Sequence, residues 1–266
     1  FEAYLPFDPD LEAENDLALL CIHRLINKGW GGVALTVEID QAKRIPLPPD
    51  PLKLSNSLES LVGRSYGLYI LEDYPPFPQF ARLNLTTEKP SDVSQLLRSP
   101  ALHRYGLISI TPLSDDAFKA CCQSTDIDII SIDVSKFVPN STNKDVKTAI
   151  HRGIFFEFRY SHFLYNSRIR RELISCAQRL IFPTRGRNML LSLGTNDANK
   201  VCAPADVRAI ARLLGFTHPE LITNRTIKSV LSKGLARMSF VGVVRRKVIK
   251  VNEQNANEEE FEFIDD

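Results

Sequence analysis

Residues 154–193 read IFFEFRYSHFLYNSRIRRELISCAQRLIFPTRGRNMLLSL. The stretch opens on an aromatic-rich run, Ile154 to Tyr160, and closes on a second apolar run, Asn188 to Leu193; both read as strands. Between them, from Asn166 to Phe182, a helical wheel at 100° per residue gathers Ile169, Leu173, Cys176, Ala177 and Leu180 on one side. Arg168, Arg171 and Arg179 fall on the opposite side, a basic ridge over an apolar floor. Arg170 lies near the apolar edge, which suits a packing contact or a subunit interface. A strand, an amphipathic helix and a strand in succession form the unit of a parallel sheet, because parallel neighbours need a long crossover.

The same alternation extends through most of the chain. Further strands are read at Val33–Val37, Gly67–Leu71, Ala81–Leu85, Gly106–Ile110 and Ile127–Ile132. Asp16 to Lys28 has helical spacing through Leu17, Leu20, Cys21, Ile22 and Leu25. Pro204 opens a helix that buries Val207, Ile210, Ala211 and Leu214, carries Arg208 and Arg212 on another face, and stops at Gly215. A last helix follows Asn224, with Ile227, Val230 and Leu231 as its buried stripe and Lys228 and Lys233 facing elsewhere. About seven or eight such units predict an α/β fold, a distorted barrel of the TIM type, with an open doubly wound sheet as the alternative. One domain is expected over residues 1–251. Its Pro-rich insertions lie near 43–57 (Pro46, Pro48, Pro49, Pro51) and 74–78, and an acidic, disordered tail is expected over 252–266.

With 266 residues, 44% apolar and 24% charged, the chain can bury a sizeable core. No apolar run approaches the roughly 18 residues that span a bilayer. The opening residues, Phe1 to Pro6 and then acids, lack the pattern of a secretory signal, so an intracellular protein is expected. Five cysteines without a Cys-x-x-Cys pair suit reduced, buried thiols. The formal net charge of +1 hides three blocks. Residues 1–150 carry 14 Lys+Arg against 20 Asp+Glu; residues 151–251 carry 19 against 5, a net +14; residues 252–266 carry 7 acids and no base. A basic field of that size attracts phosphates, and its arginines suit bidentate contacts and base stacking.

A catalytic site has little motif support. There is no Walker loop and no Gly-x-Gly-x-x-Gly, and the five histidines are scattered without His-x-His or His-Glu-x-x-His spacing. Acids at the expected strand ends, Asp8, Asp40, Asp133 and Asp197, with the in-strand Glu157, could in principle converge to hold Mg²⁺ in a phosphoesterase. Helix capping and loop solvation are the cheaper use of such acids. Glu157, inside an apolar strand, must face a polar lumen or form a structural ion pair with a base such as Arg152 or Arg159.

The segment Ala149-Ile150-His151-Arg152-Gly153-Ile154-Phe155-Phe156-Glu157-Phe158-Arg159-Tyr160-Ser161 resembles the signature of the thirty-kilodalton protein subunit of ribonuclease P and ribonuclease MRP. The likeness continues through Arg170-Arg171, Gly186-Arg187-Asn188, the Arg208 helix with Leu214-Gly215, and Asn224 to Arg237. Asp126 to Ile130 resembles that family's Asp-rich strand. His151 and the Pro-rich insertions depart from its pattern. The resemblance implies a barrel related to metal-dependent phosphoesterases but without their histidines, in a subunit that is not an enzyme on its own. It implies RNA contacts through Arg152, Arg168, Arg171, Arg185 and Arg187, and less directly Arg208 and Arg212. The implied partners are a catalytic RNA, precursor tRNA and other protein subunits including a small pairing one, without a membrane. The protein itself would bind no cofactor, Mg²⁺ would accompany the RNA, and the location would be the nucleus and nucleolus.

Overall fold

The computed structural model describes residues 1–8, 11–54, 77–140, 142–223 and 225–238. The strand read at Gly67–Leu71 and the acidic segment 252–266 lie outside them. In chain order the elements are β1 (Glu2–Pro6), α1 (Glu12–Asn27), β2 (Val33–Ile39), β3 (Gln79–Thr87), α2 (Pro90–Leu97), β4 (Leu107–Pro112), α3 (Asp115–Gln123) and β5 (Ile129–Ile132). There follow α4 (Asn143–His151), β6 (Phe155–Arg159), α5 (Ser167–Thr184), β7 (Met189–Ser192), α6 (Pro204–Leu214), the short α7 (Pro219–Ile222) and α8 (Arg225–Met238).

The strands β1 to β7 lie in sequence order in one sheet, and every neighbouring pair is parallel. That order with helical crossovers curls the sheet into a nearly closed barrel. At the seam Gly194 N–H donates to the Tyr4 carbonyl at 3.1 Å, and the Glu2 carboxyl accepts from Leu193 N–H at 2.8 Å. The seam strand β1 is absent from the strands read in the sequence, because its apolar pattern is only a few residues long and is flanked by Glu2 and Pro6.

Alternation along each strand divides the interior in two. Leu35, Leu83, Ile108, Ile130, Phe156 and Leu191 face outward and are buried beneath the helices. The other set points into the lumen. Its lower layer, Ala34, Leu107, Ile129, Phe155 and Leu190, is apolar and is closed by Ile227 and Val230 of α8. Its upper layer is polar: Thr36, Arg82, Asn84, Ser109, Ser131 and Glu157 are all fully buried.

Helix α8 plugs the mouth at the N-terminal ends of the strands. Gly234 is required there, since a Cβ at this position would stand 2.0 Å from the Gly106 carbonyl oxygen. Lys233 does not face away as its helical position suggested; its ammonium donates to the carbonyls of Ile127 at 2.7 Å and Gly153 at 3.0 Å. Arg237 donates to Asp128 at 2.6 Å. On α1 the contact is made by Ala18, Cys21, Ile22, Leu25 and Ile26, whereas Leu17 and Leu20 are exposed because they lie on the far side of the wheel from that stripe. Residues 43–54 form neither helix nor strand, as their prolines predict, and are pinned by the Gln79 side chain on both backbone groups of Leu52. The cysteines are free thiols, four of them buried and Cys202 half-buried.

Candidate nucleic-acid interface

The C-terminal mouth of the barrel, where enzymes of this architecture place their chemistry, is filled by internal ion pairs. Glu157 forms an ion pair, but neither Arg152 nor Arg159 is its partner. Arg82 reaches across the lumen from β3 and donates to both carboxylate oxygens, at 2.7 and 2.6 Å. Arg159 stands two residues further along β6, one layer higher, and is claimed by Asp133 at 3.0 Å. The period of two that turns both side chains inward also holds them a layer apart. The Tyr4 ring packs against both guanidiniums, 4.3 Å from that of Arg82 and 4.6 Å from that of Arg159, and its hydroxyl donates to Glu38.

Burial alone would raise Asp133; Arg159 and the Ser135 hydroxyl outweigh it and hold the carboxyl below its usual range. His162, 3.4 Å from Asp133, is pushed down to about 4 by burial and stays neutral at pH 7. The other strand-end acids are dispersed. Asp197 caps the turn at Asn199, and Asp40 is exposed beyond β2. These acids do not converge into an oxygen-ligand site, and among the described residues no group of three His, Cys, Asp or Glu could hold a metal ion.

At the opposite, N-terminal rim the surface is basic. Helix α5 ends at Thr184, and the chain turns through Arg185 in the left-handed region at φ 53°, Gly186 at 71° and Asn188 at 52°. Left-handed backbone at an arginine costs roughly 1–2 kcal/mol. It is held by Gly186 N–H on the Thr184 hydroxyl, Arg187 N–H on the Thr184 carbonyl, and the Asn188 amide on the Ile154 carbonyl. The turn leaves Arg185 and Arg187 exposed on either side of the glycine.

Beside it lies a cleft of about 620 Å³, with Phe155 and Phe216 in its floor and Arg185, Arg187, His218 and Arg225 in its walls. A second depression shares Arg185 and Arg187 and adds Lys147 and His151, and a third shares Lys147 and His151 with the second and adds Lys144 and Arg152. Among the described residues no carboxylate lines any of the three. The result is a basic band that follows the lower rim from Arg225 to Arg152 and continues up the outer face of α4 through Lys147 to Lys144. A low-acid concavity with several fixed cations and a partly apolar floor suits a phosphate backbone with bases able to contact the floor.

The band unites Arg152, Arg185 and Arg187 from the sequence-read set. It leaves out Arg168 and Arg171, which are exposed at the opposite end of α5, about 21–25 Å from Arg185 along the helix axis. Arg168 is already paired with Glu172 at 3.1 Å. Arg170 makes the packing contact its wheel position implies, donating to the Phe163 carbonyl at 2.8 Å. Arg208 is half-buried with a long contact of 3.4 Å to the Thr223 hydroxyl, and Arg212 is exposed on α6 outside the band's lining. Sequence reasoning missed Lys144, Lys147 and Arg225. The two lysines were legible as an i, i+3 pair opposite the buried Val146 and Ala149 of α4, but block counting assigned them to the acidic first half.

A family model described as RNase P subunit p30 matches residues 11–239. The chain is 25% identical over 246 residues to Ribonuclease P protein subunit p30 of Mus musculus, covering 89% of this chain and 88% of that protein. It is 31% identical over 193 residues to Protein GAMETOPHYTE DEFECTIVE 1 of Arabidopsis thaliana, covering 71% of this chain but only 33% of that protein. In fold it is similar to a chain from the cryo-EM structure of archaeal ribonuclease P with mature tRNA, at a TM-score of 0.60 and 14% identity over 96% of this chain. With its seven-stranded barrel and a model match over most of its length, the chain belongs to the RNase P subunit p30 family.

Proposed function

We propose that this chain is a non-catalytic, RNA-binding protein subunit of ribonuclease P, and of ribonuclease MRP, that supports removal of the 5′ leader from precursor tRNA by a catalytic RNA. The observation that carries the reading is the continuous basic band from Lys144 to Arg225 in a member of this family. The band neutralises RNA phosphates and positions RNA helices, while Mg²⁺ held by the RNA performs the cleavage. The protein itself holds no cofactor. Its partners are the catalytic RNA, precursor tRNA and other protein subunits, among them a small pairing subunit, and it works in the nucleus and nucleolus. Relatives named as subunits of ribonuclease P or of ribonuclease P and MRP support this assignment.

A phosphoesterase of the same barrel would need acids free to bind a metal at the C-terminal mouth. Here Glu157 is held by Arg82 and Asp133 by Arg159. The experiment that tests the assignment is binding of precursor tRNA and the co-purifying RNA by the chain with its partner subunit, measured from low to high salt. With about 4 phosphates engaged the log–log slope is expected near −3. A flat salt response would overturn the RNA-binding role. Hydrolysis of a generic phosphodiester by the protein alone, lost in Asp133→Ala, would replace it with the enzymatic one.

A further inference from the structure

Among the described residues the basic band is lined by cations without a carboxylate, and the same chain carries a segment of the opposite character. Residues 252–266 hold 7 acids and no base, and Glu260-Phe261-Glu262-Phe263 alternates acid with aromatic. We propose that this acidic segment folds back onto the basic cleft of its own chain and competes there with RNA.

Charge and reach support the pairing. Arg185, Arg187 and Arg225 stand around a floor that includes Phe155, Phe216 and the partly exposed Leu221, so the cleft offers guanidiniums to carboxylates and apolar surface to aromatic rings. Helix α8 starts in the cleft at Arg225 and ends at Met238, about 20 Å away along its axis. Residues 239–251 can span up to about 43 Å, enough to return the acidic segment over that distance. Being tethered, the segment meets the cleft at a high effective concentration, so even weak ion pairing occupies it. RNA, with many more phosphates, displaces the segment where the match is right and is resisted where it is poor. The competitive half of this inference rests on the cleft being an RNA contact.

The test uses the full chain and a variant with Glu258→Gln, Glu259→Gln, Glu260→Gln and Glu262→Gln. Zero-length carbodiimide crosslinking is expected to join the acidic segment to Lys144 or Lys147 within one chain, as judged from a mixture of isotopically light and heavy protein, and high salt abolishes it. In the variant those crosslinks vanish and a single-stranded RNA probe binds about three- to tenfold tighter. Crosslinks confined to Lys247 and Lys250, or found only between chains, overturn the proposal. Equal RNA affinity of both proteins, with binding still weakened by Arg185→Glu and Arg187→Glu, overturns it while leaving the RNA role intact. Crosslinks to Lys144 or Lys147 alongside RNA binding that ignores those arginine changes support the folding back and overturn the RNA role of the cleft.

Discussion

Arg82 and Glu157 meet in the barrel lumen at 2.6 Å, both fully buried, from strands that are not neighbours in the sheet. Arg82 also donates to the Ser109 hydroxyl at 2.9 Å and the Ala3 carbonyl at 2.6 Å, so one guanidinium ties β1, β3, β4 and β6 together.

Removing one member of that pair strands the other charge without water. Arg82→Met or Glu157→Leu alone is expected to cost about 3–5 kcal/mol, and the double variant to recover a large part of it. Urea denaturation of the three proteins checks this. A double variant whose loss equals the sum of the single losses would show that the two groups do not act as a pair.

His162 couples stability to acid. Its folded value of about 4 lies below the ordinary value of 6.5, so between these the unfolded chain takes up a proton that the folded chain refuses. Its contribution is complete above pH 6.5 and is lost as pH falls toward 4. Between pH 7 and 4.5 the wild type should lose about 2–3 kcal/mol more than His162→Gln. Parallel urea midpoints for the two proteins over that range would contradict it.

Charge reversal at the two ends of α5 separates the basic band from the helix ridge. Arg185→Glu with Arg187→Glu is expected to weaken RNA binding at least about tenfold and to make the salt slope shallower by about 2. Arg168→Glu with Arg171→Glu should do much less, because Arg168 is already paired with Glu172 and neither lines the band. Filter binding across a salt series distinguishes them, and equal effects at both ends would remove the band as the principal contact.

The seating of α8 depends on the absence of one methyl group. Gly234→Ala places a carbon 2.0 Å from the Gly106 oxygen and 3.1 Å from Leu107, so the plug must shift outward. A loss of about 2–3 kcal/mol is expected, while the exposed Ser232→Ala nearby stays within about 0.5 kcal/mol. Thermal denaturation of both variants is sufficient, and equal melting temperatures would mean that α8 does not seal the barrel.

Local pattern was enough for most of the elements. The stripe Leu173, Cys176, Ala177 and Leu180 is buried on α5, and Pro204 and Gly215 bound α6 with Gly215 at φ 100°. These signals are short-range, set by helical and strand periods and by residues that accept only certain backbone angles. The partner of Glu157 was not legible, because Arg82 lies 75 residues earlier and reaches it only across a closed lumen.

Charge shows the same division. The sequence by itself determined that bases concentrate after residue 150, but not which of them would be free. Arg159 is spent on Asp133, Arg237 on Asp128 and Lys233 on two carbonyls, while Lys147 from the acidic half joins Arg185 and Arg187 in one depression. Periodicity along the chain decides strands, helices and their buried faces. Only the closing of the barrel decides which distant side chains neutralise one another and which remain to meet a polyanion, because Coulomb interactions depend on separation in space and on burial rather than on separation along the chain.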